Sequence, residues 1–154
     1  MGVKKLDKIY DKPELIFADL PVGKTFPPLD YPVTGELIQQ FMEAVGDRHP
    51  LYWDEGSAQR THLRSPIAPP GLAAIYARLS YLQDHTMPSG GVLAKQEFDF
   101  HKAVYIGDTL KVKAKVMESY LDEKGRKRVT FLIEAENQKS QPVSTVRLYA
   151  IWPK

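Results

Sequence analysis

From Leu110 to Val116 the chain alternates, with Lys111, Lys113 and Lys115 set between Leu110, Val112, Ala114 and Val116. A period of two predicts a strand with one buried face and one wet face. Val129, Phe131, Ile133 and Ala135 repeat the pattern against more polar partners, and Asp122-Glu123-Lys124-Gly125 between the two runs reads as a hairpin turn. Further strand signals cover about 91–103 and 142–152. Upstream the period changes. Leu37, Ile38, Phe41, Met42 and Val45 follow helical spacing, Thr34 suits an N-cap, and Gly46 can close the helix in the left-handed conformation. This predicts an amphipathic helix over 34–45. Gly71–Leu82 is apolar on nearly every side, and Pro70 suits its first turn. Such a helix is buried all round, so the strands must wrap it. Long antiparallel strands after a buried helix indicate an α+β domain. One domain spans 1–154, with no internal repeat. Residues 1–22 lack clear periodicity, and Lys4, Lys5 and Lys8 read as a solvated terminus. Four prolines between Pro21 and Pro32 read as an extended edge segment.

Residues 46–70 are expected to form a loop with one short helix near 54–62. Two of the chain's four histidines and one of its two tryptophans fall here, and a long irregular segment of that kind is a functional candidate. Composition narrows the chemistry. There is no cysteine, which excludes disulfides, thiol nucleophiles and thiolate metal sites. Lys plus Arg total 21 against 19 for Asp plus Glu, a balance that argues against a dedicated nucleic-acid binder. No apolar run approaches the roughly 20 residues that span a bilayer, and no apolar core follows the N-terminal lysines as in a secretory signal. The expectation is a soluble cytoplasmic protein without membrane contact.

Three segments carry a family resemblance. Gly46-Asp47-Arg48-His49-Pro50-Leu51-Tyr52-Trp53-Asp54 with Ala58, then Ile67-Ala68-Pro69-Pro70-Gly71, then Phe98-Asp99-Phe100-His101 with Gly107-Asp108-Thr109-Leu110 stand in order along the chain. They resemble MaoC-like (R)-specific enoyl-CoA hydratases and dehydratases, most closely the N-terminal-domain type of MaoC dehydratase. The resemblance runs from about Val33 to Trp152 and implies the hot-dog fold, a long curved antiparallel sheet around a central helix. It implies water addition across the 2,3 double bond of an acyl thioester, or the reverse. An aspartate and a histidine five positions apart act on the water, and amides at the start of the central helix polarise the thioester carbonyl. Asp47 occupies the aspartate position, but Tyr52 stands in the histidine position and His49 in that of an asparagine. Pro70 has no N–H, so Gly71 or Leu72 must donate.

The residues also admit plainer roles. Asp47 suits a turn bonded to local amides, His49-Pro50 suits a rigid turn with a surface imidazole, and Tyr52 and Trp53 suit packing, with Tyr52 lining a pocket. Arg60 and Arg64, beside His62 on the short helix, suit a rim for the phosphate of CoA or phosphopantetheine, or else a solvated loop face. Glu97, Asp99 and His101 alternate onto one strand face but spread along about 13 Å, too far for one metal ion. His85 reads as a cap or loop residue after the central helix. The lysine stripe reads as a solvated face. No cofactor is expected beyond CoA or phosphopantetheine as part of the substrate. Three functions follow in order. The first is a hydratase or dehydratase using Asp47 with His49 or Tyr52. The second is a catalytically degenerate subunit that binds the acyl thioester and pairs with an active MaoC-like chain. The third is an acyl-CoA thioesterase, which the lack of an acid in Gly71–Leu82 disfavours. The expected partners are an acyl-CoA or acyl-carrier thioester and a second hot-dog chain, in a homodimer, a higher oligomer or a heterodimer.

Overall fold

A computed structural model of the chain describes residues 11–154; Lys4, Lys5 and Lys8 lie outside them. Five strands form one antiparallel sheet: β1 (Leu29–Pro32), β2 (Val92–Phe100), β3 (Thr109–Leu121), β4 (Lys127–Glu136) and β5 (Pro142–Trp152). Their spatial order is β1-β3-β4-β5-β2. The helices are α1 (Gly35–Val45), α2 (Glu55–Arg60) and α3 (Leu72–Ser80). The concave face of the sheet wraps α3, the hot-dog arrangement.

The alternating runs produce the expected faces. Leu110, Val112, Ala114 and Val116 are buried while the lysines between them are exposed. Lys113 reaches Glu136 on the neighbouring strand at 3.8 Å. At the β3–β4 turn, Gly125 takes φ +71°. Asp122 closes that turn by accepting from the Lys124 and Arg126 amides, at 2.9 Å each, and from the Arg126 and Arg128 guanidiniums. Those donors, Arg128 foremost, hold the Asp122 carboxyl well below the usual carboxylate range. In α1 the Thr34 hydroxyl accepts from Leu37 N–H at 3.1 Å, and Gly46 ends the helix at φ +72°.

Three expectations change. The central helix is not buried all round. It buries Leu72, Ala73, Tyr76, Ala77 and Ser80, but Ile75 and Leu79 are more than 40% exposed, and the edge strand β2 itself exposes Val92, Leu93 and Phe100. Only the exposed Arg78 marks the solvent side of a helix that is otherwise almost uniformly apolar. The helix also stops at Ser80 rather than Leu82, with Tyr81 turning to stack on Phe131 at 4.3 Å. His85 therefore lies in the following loop and does not cap the helix.

The N-terminal segment is the second change. Leu15 and Leu20 are fully buried, and Leu15 is bonded through its N–H to Thr86 O at 2.9 Å and through its carbonyl to Trp152 Nε1–H at 2.7 Å. Leu15, which follows no periodicity, is held by partners far along the chain. Third, α2 ends at Arg60, so His62 is off the helix, in the left-handed region at φ +63°.

Candidate functional site

The loop after α1 is built by its own polar side chains. Asp47 Oδ1 accepts from His49 N–H at 3.2 Å. His49 then caps the one-turn 3-10 helix Pro50–Tyr52, its Nδ1 accepting from Leu51 N–H at 3.2 Å. Asp54 starts α2 by accepting from both the amide and the hydroxyl of Ser57, and these bonds hold its carboxyl below the ordinary value. The loop is tied to the entry of the central helix, because Ile67 N–H donates to Leu51 O at 2.9 Å and Ala68 N–H to Val104 O at 2.7 Å.

This folding puts Tyr52 beside Asp47. Burial first, and then the Asp47 charge and polar contact with its carboxylate, push the Tyr52 phenol above its ordinary value. At neutral pH Tyr52 is a neutral hydroxyl, able to donate to water but unable to take a proton as a base. The His49 ring lies 5.7 Å from the Tyr52 ring. Its Nδ1 is already engaged as an acceptor, so the neutral tautomer carries its proton on Nε2. The imidazole is close to the pair and is oriented as a donor.

At the start of α3, the Leu72 N–H donates to Pro69 O at 3.0 Å, Ala73 to Pro70 O at 3.1 Å and Ala74 to Gly71 O at 3.1 Å. The Gly71 N–H has no acceptor among the described residues. Of the two expected donors, Leu72 is occupied and Gly71 is free. A Cβ on Gly71 would stand 3.2 Å from Phe41 Cζ of α1, so the glycine also admits close packing of the two helices. A cavity of about 250 Å³ opens here, lined by Pro69, Pro70, Tyr76, Phe100 and Val143 among others. Inside the sheet the Tyr76 hydroxyl bonds the Ser144 hydroxyl. A second cavity of about 470 Å³ lies between α1 and the Tyr52–Trp53 turn. Tyr52 lines it, as does Trp53, whose indole is 59% exposed rather than packed inside.

Arg60 and Arg64 do not converge. Arg60 turns back to Ser57 Oγ at 3.1 Å and Asp54 at 3.9 Å. Arg64 stacks 3.9 Å above the Tyr105 ring and pairs at 3.9 Å with the buried Asp108. Neither lines the two cavities just described; Lys102 lines the first and Arg48 the second, and Arg48 touches its cavity only once α1 folds against the loop. Glu97, Asp99 and His101 share the outer sheet face, each with its own neighbour: Tyr149 at 3.1 Å, Arg147 at 3.2 Å and Thr145 at 2.9 Å. The helix α3 carries neither Asp nor Glu.

Residues 21–146 match the family model described as FAS1-like, dehydratase domain region. The chain belongs to that family. Among relatives of this FAS1-like dehydratase chain, a 3-hydroxybutyryl-CoA dehydratase of Methylorubrum extorquens is 33% identical over 115 residues, covering 75% of this chain and 71% of the relative. A protein of Saccharopolyspora erythraea named only UPF0336 protein is 29% identical over 133 residues, 82% of this chain and 85% of that one. The HadBC (3R)-hydroxyacyl-ACP dehydratase complex of Mycobacterium tuberculosis superimposes with a TM-score of 0.74 at 24% identity, covering 84% of this chain and 96% of that one. The MaoC-like resemblance and the hot-dog fold both hold for this FAS1-like dehydratase chain.

Proposed function

We propose that this chain is a hydratase or dehydratase of 2-enoyl and 3-hydroxyacyl thioesters, with Asp47 orienting the reacting water. The observation that carries the reading is the pinning of the Asp47–Tyr52 loop, through Leu51 and Ile67, to the segment that ends at the free Gly71 N–H. Addition of water requires a hydroxyl at C3, a proton at C2, and stabilisation of the negative charge that develops on the thioester oxygen. The Gly71 N–H at the positive end of α3 suits that oxygen. Asp47 accepts a hydrogen bond from the water and Tyr52 donates one. The relative named 3-hydroxybutyryl-CoA dehydratase supports the substrate class.

A second reading is favoured by the same pair. Tyr52 is no base, and His49 has its Nδ1 engaged, so the proton-accepting imidazole of the family pair is not at position 52. The edge strand β2 exposes Val92, Leu93 and Phe100, and this open apolar edge gives a second hot-dog chain a place to pair. HadBC is itself a complex. In this reading the chain is the thioester-binding half of a heterodimer whose partner holds the imidazole. Among the described residues no helix is long and apolar enough to cross a membrane, and a cytoplasmic site of action belongs to the proposal.

Offering a short trans-2-enoyl-CoA to the purified chain, alone and mixed with a histidine-complete MaoC-like chain, separates the readings. Formation of 3-hydroxyacyl-CoA by the lone chain supports the first reading, and formation only in the mixture supports the second. No product in either arm refutes both.

A further inference from the structure

The larger cavity has a build that the water chemistry does not explain. Ile38 and Pro66 are buried in its wall, Met42 and Ile106 complete an apolar lining, and Trp53 presents an exposed indole to it. That indole is held in place, because its Nε1–H donates to Arg48 O at 3.1 Å. Exposed apolar surface fixed by a hydrogen bond is a contact platform, and Trp and Arg together are the residues that most often carry binding energy. Gln39, Glu43 and Arg48 form the exposed lip. Gln39 and Glu43 already show amide-to-carboxylate spacing, at 3.3 Å from each other. Among the described residues Arg48 has no carboxylate within 4.0 Å, the distance that counts as an ion pair, unlike Arg60, Arg64, Arg126, Arg128 and Arg147. Tyr52 lines this cavity and also faces Asp47, so the cavity starts where the proposed reaction takes place.

An apolar channel with amide-bonding groups and one unpaired cation at its lip fits a ligand that is part hydrocarbon, part amide and ends in phosphate. We infer that the cavity between α1 and Trp53 receives the phosphopantetheine arm of the thioester, with its dimethyl carbon against Trp53, its amides toward Gln39 and Glu43, and its phosphate on Arg48. The inference rests on the thioester reading above and replaces Arg60 and Arg64 as the phosphate contact. A volume near 470 Å³ is within the range of small-molecule sites.

Calorimetric titration with phosphopantetheine, pantetheine and ADP tests it without turnover. Phosphopantetheine is expected to bind the wild-type chain about tenfold or more tightly than pantetheine, the loss of one charge-assisted contact. Arg48→Ala should bring phosphopantetheine down to the pantetheine level and leave pantetheine unchanged, while Arg48→Lys restores part of the difference. Trp53→Ala should weaken both ligands, with circular dichroism showing that the variant is folded. Competition by free CoA and by a phosphopantetheinylated carrier protein then names the source, and the better competitor is the carrier of the substrate. The inference is overturned if wild type does not bind phosphopantetheine, if Arg48→Ala or Trp53→Ala binds it as wild type does, if ADP binds equally well, or if neither CoA nor the carrier competes. Binding without hydration refutes the proposed reaction and leaves the arm site standing. Hydration whose KM ignores Arg48→Ala does the opposite.

Discussion

The Tyr52 phenol lies beside the Asp47 carboxylate, and burial together with that negative charge holds it protonated beyond the ordinary tyrosine range. Position 52 therefore contributes a hydrogen-bond donor where the family pair has an imidazole. Tyr52→His should raise hydration by the lone chain at least tenfold, with a new limb in the pH dependence of kcat/KM near the imidazole pKa of about 6.5. Tyr52→Phe should lower whatever hydration the wild-type chain has. A pH profile unchanged in Tyr52→His contradicts this role.

Gly71 offers the free amide at the head of α3, with φ near −60° that proline also adopts. Gly71→Ala keeps the N–H and Gly71→Pro removes it, and both place a Cβ against Phe41. Each should cost about 1–3 kcal/mol of stability through overpacking. Only the proline variant should lose a further 10²–10³-fold or so in kcat. Equal kcat in the two variants would remove Gly71 from the carbonyl site.

Tyr76 and Tyr81 are buried, and burial raises both phenols above their value in the unfolded chain. The folded state thus keeps protons that the unfolded state releases near pH 10. Their contribution is complete below that pH and is lost as pH rises through the folded values, at about 1.4 kcal/mol per pH unit for each phenol titrating only in the unfolded state. Tm should fall steeply above pH 10, with a share of the tyrosinate absorbance appearing only at unfolding. Tyr81→Phe should make the fall shallower.

How much of this was legible along the chain depends on where the determining contact lies. The caps of α1 at Thr34 and Gly46 are local, and so is the period-two burial of β3, and both read directly. The motif segments bracket the loop from Asp47 to Gly71, which the Ile67 N–H to Leu51 O bond ties together. Leu15 could not be read as core, because what buries it is Trp152 and Thr86, far away in sequence. The exposed face of α3 is marked only by Arg78, because Ile75 and Leu79 on its outer side are as apolar as the residues it buries. Arg48 was passed over in favour of Arg60 and Arg64 because only the packing of α1 on the loop shows which arginine borders a cavity.

Trp152 gives that long-range contact a measurable size. Its buried Nε1–H bonds Leu15 O at 2.7 Å, so Trp152→Phe leaves a buried carbonyl unpaired. The expected loss is about 1–3 kcal/mol, read from chemical denaturation. Deleting residues 1–22 should cost more, because the buried Leu15 and Leu20 side chains go with them. A truncated chain as stable as the whole would show that this segment is not part of the core.

The central claim is that Asp47 holds the water that adds to an enoyl thioester. The direct measurement is the hydration rate of a short trans-2-enoyl-CoA by wild-type and Asp47→Asn protein, in whichever state, alone or paired, is active. The account predicts a loss of about 10²-fold or more in kcat with the fold and the thermal transition intact. Wild-type kcat in Asp47→Asn would contradict it.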